Sequence, residues 1–256
     1  MINLNELTKE YPKKQKIFKK AILREYFQYK ILDLIFQSKY SNKLIFLGGT
    51  ALKLVYNNPR FSEVLDFDKK NLNKKEFIDL SEKIKTGLKR EGYNVEVKNT
   101  FKDAFRSRIK ILDILFDYDL SSHKREKMVI QVDTAPQTIP YKPKSHYLQK
   151  FEVFRQINVA PLKIILSKKI VTIFERNRSK GRDFFDIVFL FSKTKPDFDY
   201  LSEKIGVNNM KQLKNKLKNF SKDLNFKALA NDVEPFLFDS SQKDRVLHFS
   251  NFIDQL

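Results

Sequence analysis

Ile17, Ala21, Ile22, Leu23, Tyr26, Ile31, Leu34 and Ile35 recur at helical spacing among Lys and Glu, which predicts a long first helix over residues 16–37. A short apolar run over 43–47 ends at Gly48-Gly49 and reads as a strand meeting a turn. Residues 50–56 follow as a short helix, stopped by Asn57-Asn58-Pro59. Residues 61–68 alternate as a strand, and 74–90 form an amphipathic helix that Gly92 ends. Strand-like stretches come next at 93–98, 106–116 and 127–134, with a further one around 151–157.

Beyond Pro161 the period changes to helical, with segments at 162–175, 182–192 and 210–220 and shorter pieces to Leu256. The order is helix, then mixed α/β, then helices alone, which predicts an α+β core followed by a helical C-terminal domain. The boundary falls near Ala160-Pro161, giving domains at 1–157 and 158–256. No internal repeat and no Gly/Ser- or Pro-rich linker separates them.

A chain of 256 residues with 41% apolar positions has enough material for a core. No apolar run reaches the ~18–20 residues of a membrane-spanning helix, and the first ten residues lack a signal-peptide pattern. The expectation is therefore a cytoplasmic protein without membrane attachment. Zero Cys excludes thiolate metal sites and Cys nucleophiles, and His123, His146 and His248 are too scattered for a His cluster. Neither a P-loop nor a dinucleotide glycine fingerprint is present. Fifty Lys+Arg against 31 Asp+Glu leave a formal charge of +19. That excess suits a polyanion partner such as nucleic acid, and it is also what the Lys-rich coding of an AT-rich genome would produce.

Candidate chemistry gathers at one place. Gly48-Gly49-Thr50 brings backbone N–H groups and a helix N-terminus to one point, which suits a phosphate. In the strand that follows, Asp66 and Asp68 fall on one face, about 7 Å apart along the strand. Like charges on one face are best tolerated with a divalent cation, and Mg²⁺ prefers one or two carboxylates plus substrate phosphates. Asp133 closes the strand at 127–134 on the less apolar face, where an antiparallel neighbour would set it beside Asp66. The alternative for Asp133 is an ordinary acid at a strand end.

Gly-Gly-Thr-Ala-Leu from Gly48, Arg60-Phe61-Ser62-Glu63, and Leu65-Asp66-Phe67-Asp68 together resemble the signature of the AbiEii/AbiGii toxin family. These are polymerase-β-like nucleotidyltransferases of type IV toxin–antitoxin and phage-defence systems. The resemblance resumes from Val159 to Lys169 and over Lys180-Gly181-Arg182-Asp183-Phe184-Phe185-Asp186. It implies a polymerase-β-like core with a mixed sheet, and a helical C-terminal domain completing the cleft. The family commonly reads Ser-Glu-Asp-Leu-Asp where this chain has Val64 in place of the first Asp. Either the metal pair has moved two residues along the same face to Asp66 and Asp68, or one ligand is lost. Asp66 belongs to the site in both cases.

In the helix at 162–175, Lys169 falls within the stripe of Leu162, Ile165, Leu166, Ile170 and Ile173. It either snorkels to water or reaches a triphosphate as a point charge. The family carries a Glu-Lys pair here, and this chain has Lys168-Lys169. Arg182 and Asp186 share a face of the next helix, and acids in a first turn also favour a helix dipole.

The resemblance implies a catalytic set of Asp66, Asp68, Asp133 and Asp183, with Asp66, Asp68 and Asp133 on Mg²⁺ or, as an alternative ion, Mn²⁺. It implies nucleotide contacts from Gly48, Gly49, Thr50, Arg60, Ser62, Lys169, Arg182 and Asp186. The implied reaction transfers NMP from an NTP to an acceptor hydroxyl, with RNA, notably a tRNA 3′ end, as acceptor and an antitoxin protein as partner. Two rival expectations are a catalytically degenerate fold that binds nucleic acid or a partner, and an enzyme acting on a small hydroxyl acceptor.

Overall fold

The computed structural model describes residues 2–102 and 104–256. Two compact units divide the chain: the part up to Tyr56 with Ser62–Val159, and Asn57–Phe61 with Ala160–Leu256.

The first unit runs α1 (Leu4–Lys9), α2 (Lys19–Phe36), β1 (Leu44–Leu47), α3 (Gly48–Tyr56), β2 (Val64–Lys69) and α4 (Lys74–Arg90). It continues with β3 (Val95–Phe101), β4 (Phe105–Ile111), α5 (Ile114–Asp117), β5 (Met128–Pro136), β6 (Lys144–Lys150) and β7 (Val153–Val159). The seven strands form one mixed sheet in the order β3-β4-β5-β2-β1-β7-β6. Strand alternation sends Leu44, Phe46, Leu65, Phe67, Ile130 and Val132 to one face, where they join a buried core with Ile22, Phe27, Leu80 and Ile84 of α2 and α4. An Asn73–Glu76 capping box fixes the start of α4.

Several boundaries differ from the sequence expectation, each for a local reason. The first long helix starts at Lys19, and Ile17 lies outside it, 76% exposed. The second strand starts at Val64, because Ser62 and Glu63 are held by side chains of α2: Gln28 donates to the Ser62 carbonyl and Arg24 to the Glu63 carboxylate. The stretch at 106–116 breaks after Ile111, where Asp113 takes φ +60° and opens the short α5. β6 was not expected. Its hairpin turn is Phe151-Glu152, both at positive φ, without the Asn or Gly that marks such turns in sequence.

The second unit consists of α6 (Leu162–Glu175), α7 (Gly181–Phe191), α8 (Phe198–Ile205), α9 (Met210–Ser221), α10 (Phe226–Val233), α11 (Asp244–Leu247) and α12 (Phe249–Asp254). Phe184 stands edge-on to Phe226 and Phe249 at its centre, with ring centroids 5.7 and 5.0 Å away. Gly181 opens α7 so close to α10 that a Cβ there would stand 1.9 Å from the Leu229 carbonyl oxygen. Among the described residues, no helix is long and apolar enough to cross a membrane.

Candidate active site

The sheet face opposite the core carries the acids. β2 pairs with β5 in parallel, and the register sets Asp66 directly beside Asp133. An antiparallel neighbour was expected here. The connection through α4, β3 and β4 makes β5 antiparallel to β4 instead, and so parallel to β2. Directly paired residues of adjacent strands point the same way, so the two carboxylates share a face at strand spacing, about 4.8 Å. Asp68 is one step along, beside Ala135.

Gly48 closes this corner. Its φ is +81°, a conformation that L side chains rarely adopt, and a Cβ would stand 2.3 Å from an Asp66 carboxylate oxygen. Backbone at the N-terminus of α3 therefore lies against Asp66 with no room for a side chain. Gly48→Ala is expected to cost about 1–3 kcal/mol through the positive φ, and to displace the Asp66 carboxylate. Thermal melting checks the first effect. A rate loss beyond what the unfolded fraction explains checks the second.

Thr50 and Ser62 fasten the same corner. The Thr50 hydroxyl, fully buried, donates to the Val64 carbonyl and lies 2.9 Å from Ser62 Oγ. This ties the first turn of α3 to the start of β2.

Three side chains that the sequence reading did not single out complete the acid face. Arg106 on β4 pairs in register with Asp133, its Nε 3.0 Å from Oδ1 and its Nη2 3.0 Å from Oδ2. Gln131 Nε2 donates to Asp133 Oδ2 at 3.0 Å. The Tyr141 hydroxyl bonds the Asp68 carboxylate, which is 1% exposed. Hydrogen bonds and charge from Asp133, then the charge of Asp66, hold the Arg106 guanidinium above its ordinary pKa. The row Arg106–Asp133–Asp66 thus crosses three strands with charges +, −, −. A cross-strand Arg is invisible to a search along one strand, and only the β4–β5 register reveals it.

The second unit holds a buried ion cluster. Asp186, with no exposed surface, takes a fork from Arg60, whose Nε and Nη2 each stand 2.6 Å from a carboxylate oxygen. Asn58 adds a donor at 2.7 Å. Lys169 Nζ lies 2.8 Å from both Asp183 and Asp186, and Arg176 lies 2.6 Å from Asp183. Burial alone would raise the Asp186 carboxyl, but Arg60 and Lys169 hold it well below the usual carboxylate range. Burial likewise opposes the Lys169 charge, and Asp183 and Asp186 overcome it. Arg182 lies over the Phe236 ring, 4.3 Å from its centroid. Arg60, more than a hundred residues away in sequence, thus joins Lys169, Asp183 and Asp186 in one cluster, and Asn58 and Arg176 are members the sequence did not suggest.

The donor set on the sheet suits a hard divalent ion. It is all carboxylate oxygen, in adjacent pairs, beside a backbone corner with no side chain. Among the described residues no group of three or more Asp, Glu or His could hold a metal by itself. The set fits an ion that two carboxylates share with substrate phosphates.

The glycine corner at the N-terminus of α3 lies against the paired carboxylates, an arrangement able to take phosphate and a divalent cation. The model of the nucleotidyl transferase AbiEii toxin family, type IV toxin–antitoxin system, matches residues 30–251. The chain belongs to that family. Several solved structures share its fold. JHP933 from Helicobacter pylori aligns with TM-score 0.58 at 19% identity, over 92% of this chain and 90% of that one. MenT4, a nucleotidyltransferase toxin from Mycobacterium tuberculosis H37Rv, aligns with TM-score 0.58 at 17% identity, over 100% of this chain and 91% of that one. No curated protein gave a significant match.

Proposed function

We propose that this toxin-family nucleotidyltransferase transfers NMP from an NTP to an acceptor hydroxyl on RNA, with a tRNA 3′ end as the first candidate. The observation that carries the reading is the direct pairing of Asp66 with Asp133 against the side-chain-free corner at Gly48. Asp66 and Asp133, with Asp68, would hold Mg²⁺, or Mn²⁺ in its place. The ion would neutralise charge on the phosphates as pyrophosphate leaves.

The chain's own residues supply position and charge. Backbone at Gly48 and Gly49, at the positive end of α3, receives phosphate, while Thr50 and Ser62 keep that corner closed on β2. Arg106 orients the Asp133 carboxylate, which either completes the metal site or takes the proton of the attacking hydroxyl in its place. Arg60, Lys169 and Arg176 outnumber Asp183 and Asp186 by one charge, and that surplus favours a phosphate. Lys169 and Arg176 keep 15% and 34% of their side chains exposed, so they are the members that would meet it, and Arg182 on α7 would add a further cation. Catalysis rests on positioning and charge neutralisation. With NTP and RNA as substrates the enzyme would act in the cytoplasm, and the type IV family suggests a cognate antitoxin.

The test is incubation of the protein with Mg²⁺, each α-labelled NTP in turn and total cellular RNA, with and without EDTA. Label in a discrete RNA band, lost with EDTA, is the expected result. Label only on small molecules would replace RNA by a small hydroxyl acceptor, and no label at all would overturn the reading.

A further inference from the structure

Two large aromatic rings stand in solvent on the β6–β7 hairpin. Tyr147 is 54% exposed and Phe154 65%, and their rings stack with centroids 5.2 Å apart and planes 19° from parallel. The register pairs Tyr147 with Gln156 and Phe154 with Gln149, so the two rings are diagonal neighbours on one face. That outer face consists of Ser145, Tyr147, Gln149, Phe154, Gln156 and Asn158, with no carboxylate. The hairpin's other face sends Leu148, Val153, Ile157 and Val159 into the core.

The outer face lies on the same side of the sheet as the acids, with Ile45 of β1, 1% exposed, between them. Val159 lies beside Phe46 in parallel register, and Phe46 beside Phe67, all three on the core side. Asp66 and the exposed aromatic pair therefore look out from the same side of the same sheet. Strand spacing and register put Tyr147 about 20 Å from Asp66, a span that a few nucleotides of single strand cover. Beyond the acids, the same face carries the exposed Lys98 and Arg108, directly opposite each other on β3 and β4. Like charges set opposite on neighbouring strands destabilise a sheet, and a phosphate lying over them removes that cost.

Every base offers a π face, and paired aromatics flanked by amides match single-stranded nucleic acid. The chain's +19 charge supplies the complementarity. We propose that Tyr147 and Phe154 form a base-stacking platform for a single-stranded segment of the acceptor RNA, on the face that carries Asp66 and Asp133. This rests on the reading that the acceptor is RNA.

The chain has no Trp, so Phe154→Trp installs a unique fluorophore at the platform. Oligouridylate should quench the introduced tryptophan over the same concentrations at which it binds, whereas heparin, a polyanion without bases, should not. In the full chain, the double variant Tyr147→Leu/Phe154→Leu should bind oligouridylate about tenfold or more weakly. Its heparin binding and melting temperature should stay at wild-type values. Wild-type RNA affinity in the double variant would overturn the platform and leave the RNA reading standing. Failure of the wild-type chain to bind RNA would overturn both. A fluorescence response to a co-expressed protein partner, with none to RNA, would also overturn the platform and mark the patch as a protein-docking surface.

Discussion

Asp66→Asn is expected to cut nucleotide transfer by about a hundred- to a thousandfold or more, the scale at which a group stabilising transition-state charge is felt. Melting temperature should change little, because the relieved repulsion with Asp133 in the adjacent register position offsets the lost attraction to Arg106. Single-turnover transfer of labelled NMP to RNA measures the first quantity and thermal melting the second. Wild-type transfer in this variant would remove the acid face from the site. Two companions decide which acid partners Asp66 on β2. Asp68→Asn should lose as much transfer as Asp66→Asn if those two residues form the pair. If the pairing follows the common family spacing, Asp68→Asn should be mild and Val64→Asp should raise activity. Val64 lies on the same face, beside Gln131, so the introduced carboxylate would project beside Asp66.

The largest stability effect is expected in the ion cluster. Asp186→Asn should destabilise the chain by about 3–5 kcal/mol, because it takes from the buried Arg60 the carboxylate that its fork binds and leaves Lys169 with Asp183 alone. The wild-type pH dependence follows from the same pair. Asp186 is held below its ordinary pKa by Arg60 and Lys169, so the folded state binds fewer protons than the unfolded one. Its contribution is fully present above the unfolded carboxylate pKa, about 4, and is lost as pH falls through the folded value. Denaturant melts repeated downward from neutral pH should show wild-type stability falling in that acid window, with Asp186→Asn falling less steeply there and Asp183 accounting for part of the remaining slope. Parallel curves would take Asp186 out of the titration.

Lys169→Met separates the cluster's structural and substrate roles. It removes the cation shared by Asp183 and Asp186 and should lower stability, and the loss of a phosphate contact should weaken NTP binding about ten- to a hundredfold. Lys168→Met is the control. An affinity equal in the two folded variants would leave Lys169 with a structural role alone.

Much of the chain was legible without coordinates because its elements are locally encoded. The stripes of α2, α4, α6 and α7 each report a buried face, and the helix boundaries fall within a few residues of the pattern. The Gly48-Gly49 corner and the Asp66/Asp68 alternation are also local, since a strand of period two fixes which side chains share a face. Strand partnership is not local. That β5 runs parallel to β2, that Asp133 stops beside Asp66, and that Arg106 reaches across to it are set by registers between segments tens of residues apart. The β6 hairpin escaped notice because its turn lacks the usual residues and its outer face is polar and aromatic. Lys169 shows the limit most clearly. Its position in the stripe of α6 was readable, but whether that charge meets water, phosphate or carboxylate depends on Arg60, Asp183 and Asp186, which only the packed chain assembles around it.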